Sequence, residues 1–223
     1  MIPWEGMAVT MRNTIRPCCR FPTSSAVPFE DYEQAFTQLR KDMLAGKKDP
    51  RCAKCWEEEK VGQPSMRTRA NSFHGLEFKK DILKETSRKL THIELSLDNI
   101  CNFQCRMCGS QYSSKATKRD QWLVDNHPDT HFHVAKVQKS RYETLKDLDI
   151  DWSELRSVKL LGGEPFMSPN FMDFLYFLDM RTDISKVELE LVTNCSQTMT
   201  EEMAEMLNEF KFIRISGSFD GLK

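Results

Sequence analysis

Three cysteines within eight residues constrain this chain more than any other feature: Cys101, Cys105 and Cys108. They follow directly on Thr91-His92-Ile93-Glu94-Leu95-Ser96-Leu97, whose alternating apolar residues read as a β-strand. The spacing is C-x3-C-x2-C, so the chain must turn from a strand into a short loop that gathers three thiols. Structural zinc takes four ligands, commonly as two pairs. Electron-carrier clusters are typically closed by four cysteines. Three thiolates on one loop instead suit three irons of a [4Fe–4S] cube, with the fourth iron left open. An open iron implies chemistry.

From about residue 89 the chain alternates strand and helix. The pattern predicts strands over 91–97, 157–161, 187–192 and 212–216. It predicts helices over 111–125 and 169–180, the latter with Pro169 in its first turn. Thr200 is placed to cap a further helix that presents Met203, Met206, Leu207 and Phe210 on one face. Residues 126–150 are polar and ambiguous, and 152–155 reads as a short helical turn. Strands alternating with helices predict parallel pairing through right-handed crossovers. In barrel-like α/β folds, functional groups gather at the C-terminal strand ends. Here those ends carry the cysteine loop, Gly162-Gly163-Glu164-Pro165, Thr193-Asn194 and Ser216-Gly217-Ser218-Phe219-Asp220-Gly221. Each also has a plain structural use: Gly and Pro mark turns, Asn194 is a good turn former, and Asp220-Gly221 suits a β-turn. Cys195 reads as a small turn residue. The stripe of Phe171, Phe174, Leu175 and Leu178 reads as core.

The cysteine loop, with Leu161-Gly162-Gly163-Glu164-Pro165 after it, resembles the radical S-adenosylmethionine (SAM) superfamily. Met107 stands where many members carry an aromatic residue, and it too can supply an apolar wall. The resemblance implies an α/β fold, a partial (β/α) barrel with about four of six strand–helix units present over residues 89–223. It implies that Cys101, Cys105 and Cys108 hold a [4Fe–4S] cluster whose open iron chelates SAM. The reduced cluster would then cleave SAM to methionine and a 5′-deoxyadenosyl radical. Gly162, Gly163 and Glu164 would seat the methionine end, the carboxylate accepting from its ammonium group. Thr193, Asn194 and Ser216 would orient the remainder. Such chemistry needs an electron donor such as flavodoxin or ferredoxin.

Residues 1–88 form a small cysteine-bearing region of irregular or α+β character. Cys52 and Cys55 are a chelating pair, and Cys18 or Cys19 could be a third ligand. An auxiliary iron–sulfur cluster, a zinc knuckle and an open substrate site all fit these thiols. The segment resembles the cysteine-bearing half-domain of SPASM/twitch-type radical SAM proteins, here placed before the barrel. That resemblance favours the auxiliary cluster and suggests a peptide or a small molecule as substrate. Relatives often place one more cysteine shortly before a Pro-Trp pair; Pro3-Trp4 is present, and the chain begins after that point. It also stops at Lys223, after the fourth predicted strand. Both observations lead us to expect a fragment.

Composition narrows the classes. Of 223 residues, 32 are Lys or Arg and 33 Asp or Glu, a net charge of −1. That balance gives no basis for general nucleic-acid or anionic-membrane binding. No apolar run approaches the ~20 residues of a membrane span, and the first residues lack the regions of a signal peptide. The clustering of the eight cysteines argues for metal rather than secreted disulfides. Thiols kept reduced point to the cytoplasm. His127, His131 and His133, like Arg67 and Arg69, read as solvated. Two other classes remain in view: a non-catalytic Fe–S or zinc-binding module, and an electron carrier with closed clusters.

Overall fold

The computed structural model describes residues 2–10, 14–73, 90–129, 134–135, 145–146 and 148–219, and it divides into two compact units, Met1–Glu94 and Leu95–Lys223. His131, His133, Asp220 and Gly221 lie outside the described residues.

In the first unit, a short helix α1 (Ile2–Glu5) leads into β1 (Gly6–Val9) and β2 (Ile15–Arg16). Helices α2 (Tyr32–Leu44), α3 (Ala53–Lys60) and α4 (Met66–Phe73) follow, then β3 (His92–Ser96), which runs across the division. β1 is antiparallel to β2, with Ala8 opposite Arg16, and parallel to β3, with Met7 opposite Ile93. The periodicity of α2 explains its place: Tyr32, Phe36, Leu39 and Arg40 make one buried face. The Tyr32 hydroxyl donates to the Gly6 carbonyl at 2.9 Å, and Phe36 packs edge-on against Phe21. Arg40 is fully buried, with Glu33, Thr37 and the Pro3 carbonyl accepting from its guanidinium. This 13-residue helix and the parallel strand β1 go beyond the short elements expected of the region. β1 is four residues long, and its parallel partner lies far along the chain, so local pattern does not reveal it.

In the second unit the strand order is β3, β4 (Ser157–Leu161), β5 (Glu188–Thr193), β6 (Phe212–Gly217). β4, β5 and β6 are parallel, with Val158, Leu189 and Ile213 in register. Helices α5 (Thr117–Asn126), α6 (Phe171–Arg181) and α7 (Glu201–Asn208) alternate with them. This is the expected α/β arrangement. Alternate residues Val158, Leu160, Leu189 and Leu191 are fully buried, as are Phe171, Phe174, Leu175 and Leu178 of α6. The Thr200 hydroxyl accepts from the Met203 N–H and caps α7. The alternate row is polar: Lys159 donates to Glu190 at 2.8 Å, and Arg214 stands opposite Glu190.

Two element boundaries differ from expectation. The helix predicted from residue 111 begins at Thr117, because the serines before it bond the cysteine loop instead. Pro169 precedes α6 rather than entering it: Asn170 is the capping position, and the Ser168 hydroxyl accepts from the Asn170 N–H. Trp152–Leu155 forms the expected turn, closed by Leu155 N–H to the Trp152 carbonyl.

Candidate active site

The cysteine loop is built outward from Asp98, just past the end of β3. Its carboxylate accepts from the Ile100 N–H at 2.8 Å and from the Ser168 hydroxyl at 2.5 Å. Asn99 donates to the Ser110 carbonyl at 2.7 Å, and its own carbonyl accepts from the Ser114 N–H. The Ser113 hydroxyl donates to the Phe103 carbonyl, and the Ser114 hydroxyl accepts from the Cys101 N–H. Short polar side chains thus fold residues 109–116 back over the loop, competing with helix formation there. Arg119, in the first turn of α5, donates to the carbonyls of Cys105 at 3.1 Å and of Cys108. Its neighbour Asp120 is 2% exposed, pairs with Arg119 and accepts from the Ser110 N–H. Burial pushes the Asp120 carboxyl up, but the Ser110 N–H and the Arg119 guanidinium outweigh it and hold it below the usual carboxylate range.

The glycine turn after β4 fits against this loop. Gly163 N–H donates to the Asp98 carbonyl and Glu164 N–H to the Ile100 carbonyl. A Cβ on Gly163 would lie 2.1 Å from the Ile100 carbonyl oxygen. Gly162 has φ +108°, and a Cβ there would lie 2.3 Å from that of Ser96. Both glycines are therefore required by the chain's own backbone, before any ligand is considered. Glu164 is 1% exposed and accepts from the Phe166 N–H, the Thr193 hydroxyl and the Asn194 N–H. A carboxylate offers about four acceptor positions, so one remains.

The end of β5 closes the network. Asn194 Nδ2 donates to Asn102 Oδ1 at 3.0 Å and to Cys101 Sγ at 3.7 Å, and Asn102 Nδ2 donates to the Ser196 hydroxyl. The Phe103 N–H also donates to Cys101 Sγ, at 3.4 Å. Cys195 takes the left-handed conformation, φ +58°, with its N–H on the Thr193 hydroxyl. Cys101, Gly163, Glu164, Thr193 and Asn194 thus share one hydrogen-bonded cluster. Ser216 stands apart from it, its hydroxyl 3.2 Å from Glu190. Met107 is 89% exposed. Asp98, Ser168, Arg119 and Asp120 were not singled out from sequence. An Asp-Asn pair directly before the cysteines was a usable turn signal for Asp98; Arg119 had none, because its contacts form only once α5 folds back.

The donor set suits a cluster. Among the described residues, no group of three His, Cys, Asp or Glu side chains is placed to hold a single metal ion. A cube asks for something different, one thiolate on each of three irons, with hydrogen bonds to the sulfurs, and Cys101 already receives two.

Residues 95–223 match the family model described as Radical SAM superfamily. The chain belongs to the radical SAM superfamily. A GTP 3′,8-cyclase of Microcystis aeruginosa (strain NIES-843 / IAM M-2473) is 27% identical over 134 residues, 60% of this chain. The match covers 36% of that protein, so the chain spans little more than a third of this curated relative. No solved structure matches. For a radical SAM protein the family implies a [4Fe–4S] cluster, SAM and enzymatic activity at the superfamily level.

In the first unit, Cys18 closes a turn through its carbonyl, Cys52 ends the 3-10 turn Pro50–Cys52, and Cys55 is buried in α3. Asp49 caps this segment, accepting from the Arg51 N–H and from its guanidinium, which stacks over Phe21. Burial pushes the Cys18 thiol up, and a charged Cys55 would push it further. Burial, then Cys18, Asp49 and Cys55, push Cys52 up to about 12. Cys19 is also pushed up to about 12, by burial and by Glu94, with which it hydrogen-bonds. Cys52 therefore senses Cys18 and Cys55, Cys18 senses Cys55, and Cys19 engages Glu94 and also senses Cys18. A cleft of about 400 Å³ over Trp56 lies in the same unit and is lined by none of these thiols. Arg67 stacks on Trp56 and pairs with Glu59. No helix among the described residues is long and apolar enough to cross a membrane.

Proposed function

We propose that Cys101, Cys105 and Cys108 ligate a [4Fe–4S] cluster at which SAM binds and is cleaved reductively. The observation that carries this reading is the Glu164 carboxylate, which holds the end of β5 while Asn194 reaches Cys101. One network thereby joins the thiolate loop to the two segments expected to hold SAM. When bound and reduced, the cluster supplies the electron that splits SAM into methionine and a 5′-deoxyadenosyl radical. The chain's part is to hold, orient and shield. Phe103 N–H and Asn194 Nδ2 donate to Cys101 Sγ and hold that sulfur in place. Glu164 offers its remaining acceptor position to the SAM ammonium group, and Gly162 and Gly163 let that turn sit against the loop. Thr193 fixes Glu164, and Ser216 orients the far end of SAM.

Cys18, Cys52 and Cys55 are proposed to hold a second iron–sulfur cluster in the SPASM/twitch manner, with Cys19 outside the ligand set. Their support is that a charged Cys18 or Cys55 raises the Cys52 thiol and a charged Cys55 raises that of Cys18, while Cys19 is taken up by Glu94. The electron donor is of flavodoxin or ferredoxin type, and the compartment is the cytoplasm. For the substrate, the activity of the Microcystis protein makes a purine nucleotide the first to offer. A peptide, suggested by the SPASM/twitch resemblance, is the second.

The test is electron paramagnetic resonance of the anaerobically reconstituted, dithionite-reduced protein, with and without SAM. A [4Fe–4S]+ signal that shifts with SAM, and loses that shift in Cys105→Ala, is expected. Zinc without sulfide, or a cluster signal indifferent to SAM, overturns the reading.

A further inference from the structure

We propose that Arg119 is a positioning residue that sets the reduction potential of the triad's cluster by aiming the peptide units that follow Cys105 and Cys108. The inference rests on the function proposed above.

A surface arginine in a helix's first turn would ordinarily be solvated. Arg119 is 29% exposed, and its hydrogen bonds are made to the chain: Nη1 to the Cys105 carbonyl, Nη2 to the Cys108 carbonyl, and Nε and Nη2 to Asp120. The planar fork is what allows one side chain to take two carbonyls and a carboxylate together. Asp120 in turn is fixed by the Ser110 N–H at 2.5 Å, and Asn99 holds the Ser110 carbonyl. The guanidinium is thus locked from both sides of the loop.

A trans peptide points its C=O and N–H in opposite directions. The Cys105 carbonyl also accepts from the Cys108 N–H at 3.1 Å, and Arg119 adds a second donor there and supplies one to the Cys108 carbonyl, which keeps the Arg106 and Gly109 N–H groups turned away from the guanidinium. The negative ends of both peptide dipoles are gathered on a cation, and the positive ends lie on the opposite side of each peptide, available to the cluster the triad would hold. Hydrogen bonds to cluster sulfurs and nearby charge are the levers that tune such potentials. Positive dipole ends favour the extra electron, so Arg119 raises the potential.

The test is a redox titration of the reconstituted full chain, followed by the paramagnetic signal, with the rate of iron loss to a chelator measured in parallel. In Arg119→Met the ratio of reduced to oxidised cluster at a fixed poise falls at least tenfold, a shift of about 59 mV for one electron. Arg119→Lys keeps the charge without the fork and gives a smaller fall. Thermal unfolding by circular dichroism shows whether each variant folds, and Arg119→Lys carries the test if Arg119→Met does not. Variants that lose iron faster while titrating at the wild-type potential overturn the proposal and leave the function standing. A wild-type chain that takes up no iron and sulfide overturns both.

Discussion

The two cysteine regions are held by different physics. Cys101, Cys105 and Cys108 sit on one loop, and polar bonds from β3, from α5 and from the ends of β4 and β5 fix that loop. Cys18, Cys52 and Cys55 come from two separate segments, and burial dominates their surroundings, pushing Cys52 up to about 12. The first site is shaped before any metal arrives. In the second, burial disfavours the charged forms of Cys18 and Cys52, so the proposed cluster there would have to offset the cost of their charge. The contrast teaches that a motif compact in sequence can be preorganised by its own neighbours, whereas an assembled one leans on what it binds.

The largest effect should come from removing one thiol of each region. Cys105→Ala should abolish the SAM-responsive paramagnetic signal. Cys52→Ala should abolish the proposed second cluster and leave that response in place. Loss of the SAM response in Cys52→Ala would break the comparison, since the two regions would then act as one.

Glycines sharpen it next. Gly163→Ala drives a Cβ to 2.1 Å from a carbonyl oxygen fixed by the Glu164 N–H. A rigid backbone cannot yield as a flexible side chain would, so the cost should be about 3 kcal/mol. Gly62 in the first unit has φ +76° but open space around it. Gly62→Ala should therefore cost only about 1 kcal/mol, the penalty of the left-handed conformation alone. Urea midpoints of the two variants measure the difference, and equal midpoints would deny that the β4 turn is wedged.

These positions also show what could be read from sequence. Strands β3, β4 and β5 announced themselves because each buries alternate residues, as Leu189 and Leu191 do, whereas β6 was legible from its apolar Phe212, Ile213 and Ile215 although it buries none of them. The cysteine loop and Gly162-Gly163-Glu164 were legible because their spacing is local. What the glycines pack against was not, since Ser96 lies in another strand and Ile100 in the loop that follows it. The late start of α5 was hidden for a similar reason: Ser113 and Ser114 find partners in Phe103 and Cys101 only after the chain turns. Helix α2 was harder to see because its buried face, Tyr32, Phe36, Leu39 and Arg40, includes a charged residue whose partners lie partly outside the helix.

A middle-sized effect is expected at Glu164. Glu164→Gln replaces an acceptor oxygen with an NH2 that faces a donor, either the Thr193 hydroxyl or the Asn194 N–H. Bonds to a charged group contribute about 1.5–3 kcal/mol, so SAM affinity should weaken about tenfold or more. Asp49→Asn disturbs the comparable cap in the first unit and should leave SAM affinity unchanged. Calorimetric titration with SAM separates the two, and equal losses would deny that Glu164 belongs to the SAM site.

The smallest effect should come from the polar row of the sheet, where Lys159 and Glu190 are each about a quarter exposed. Burial pushes the Glu190 carboxyl up, but the Lys159 ammonium, the Ser216 hydroxyl and the Arg214 charge outweigh it and hold it below the usual range. A depressed folded-state value means that the group stabilises the fold above its unfolded value, about pH 4.3, and that this contribution is lost as pH falls through the folded value. Wild type should therefore exceed Glu190→Gln by about 0.5 kcal/mol at pH 7, and the gap should close as the buffer is taken below about pH 4. If the gap persists in acid, the carboxylate charge is not its source, and the Ser216 hydrogen bond, which Gln can keep, is not either. If instead the variant binds SAM more tightly at pH 7, Ser216 has been freed from Glu190 to face the ligand, which is how the polar row would bear on the site.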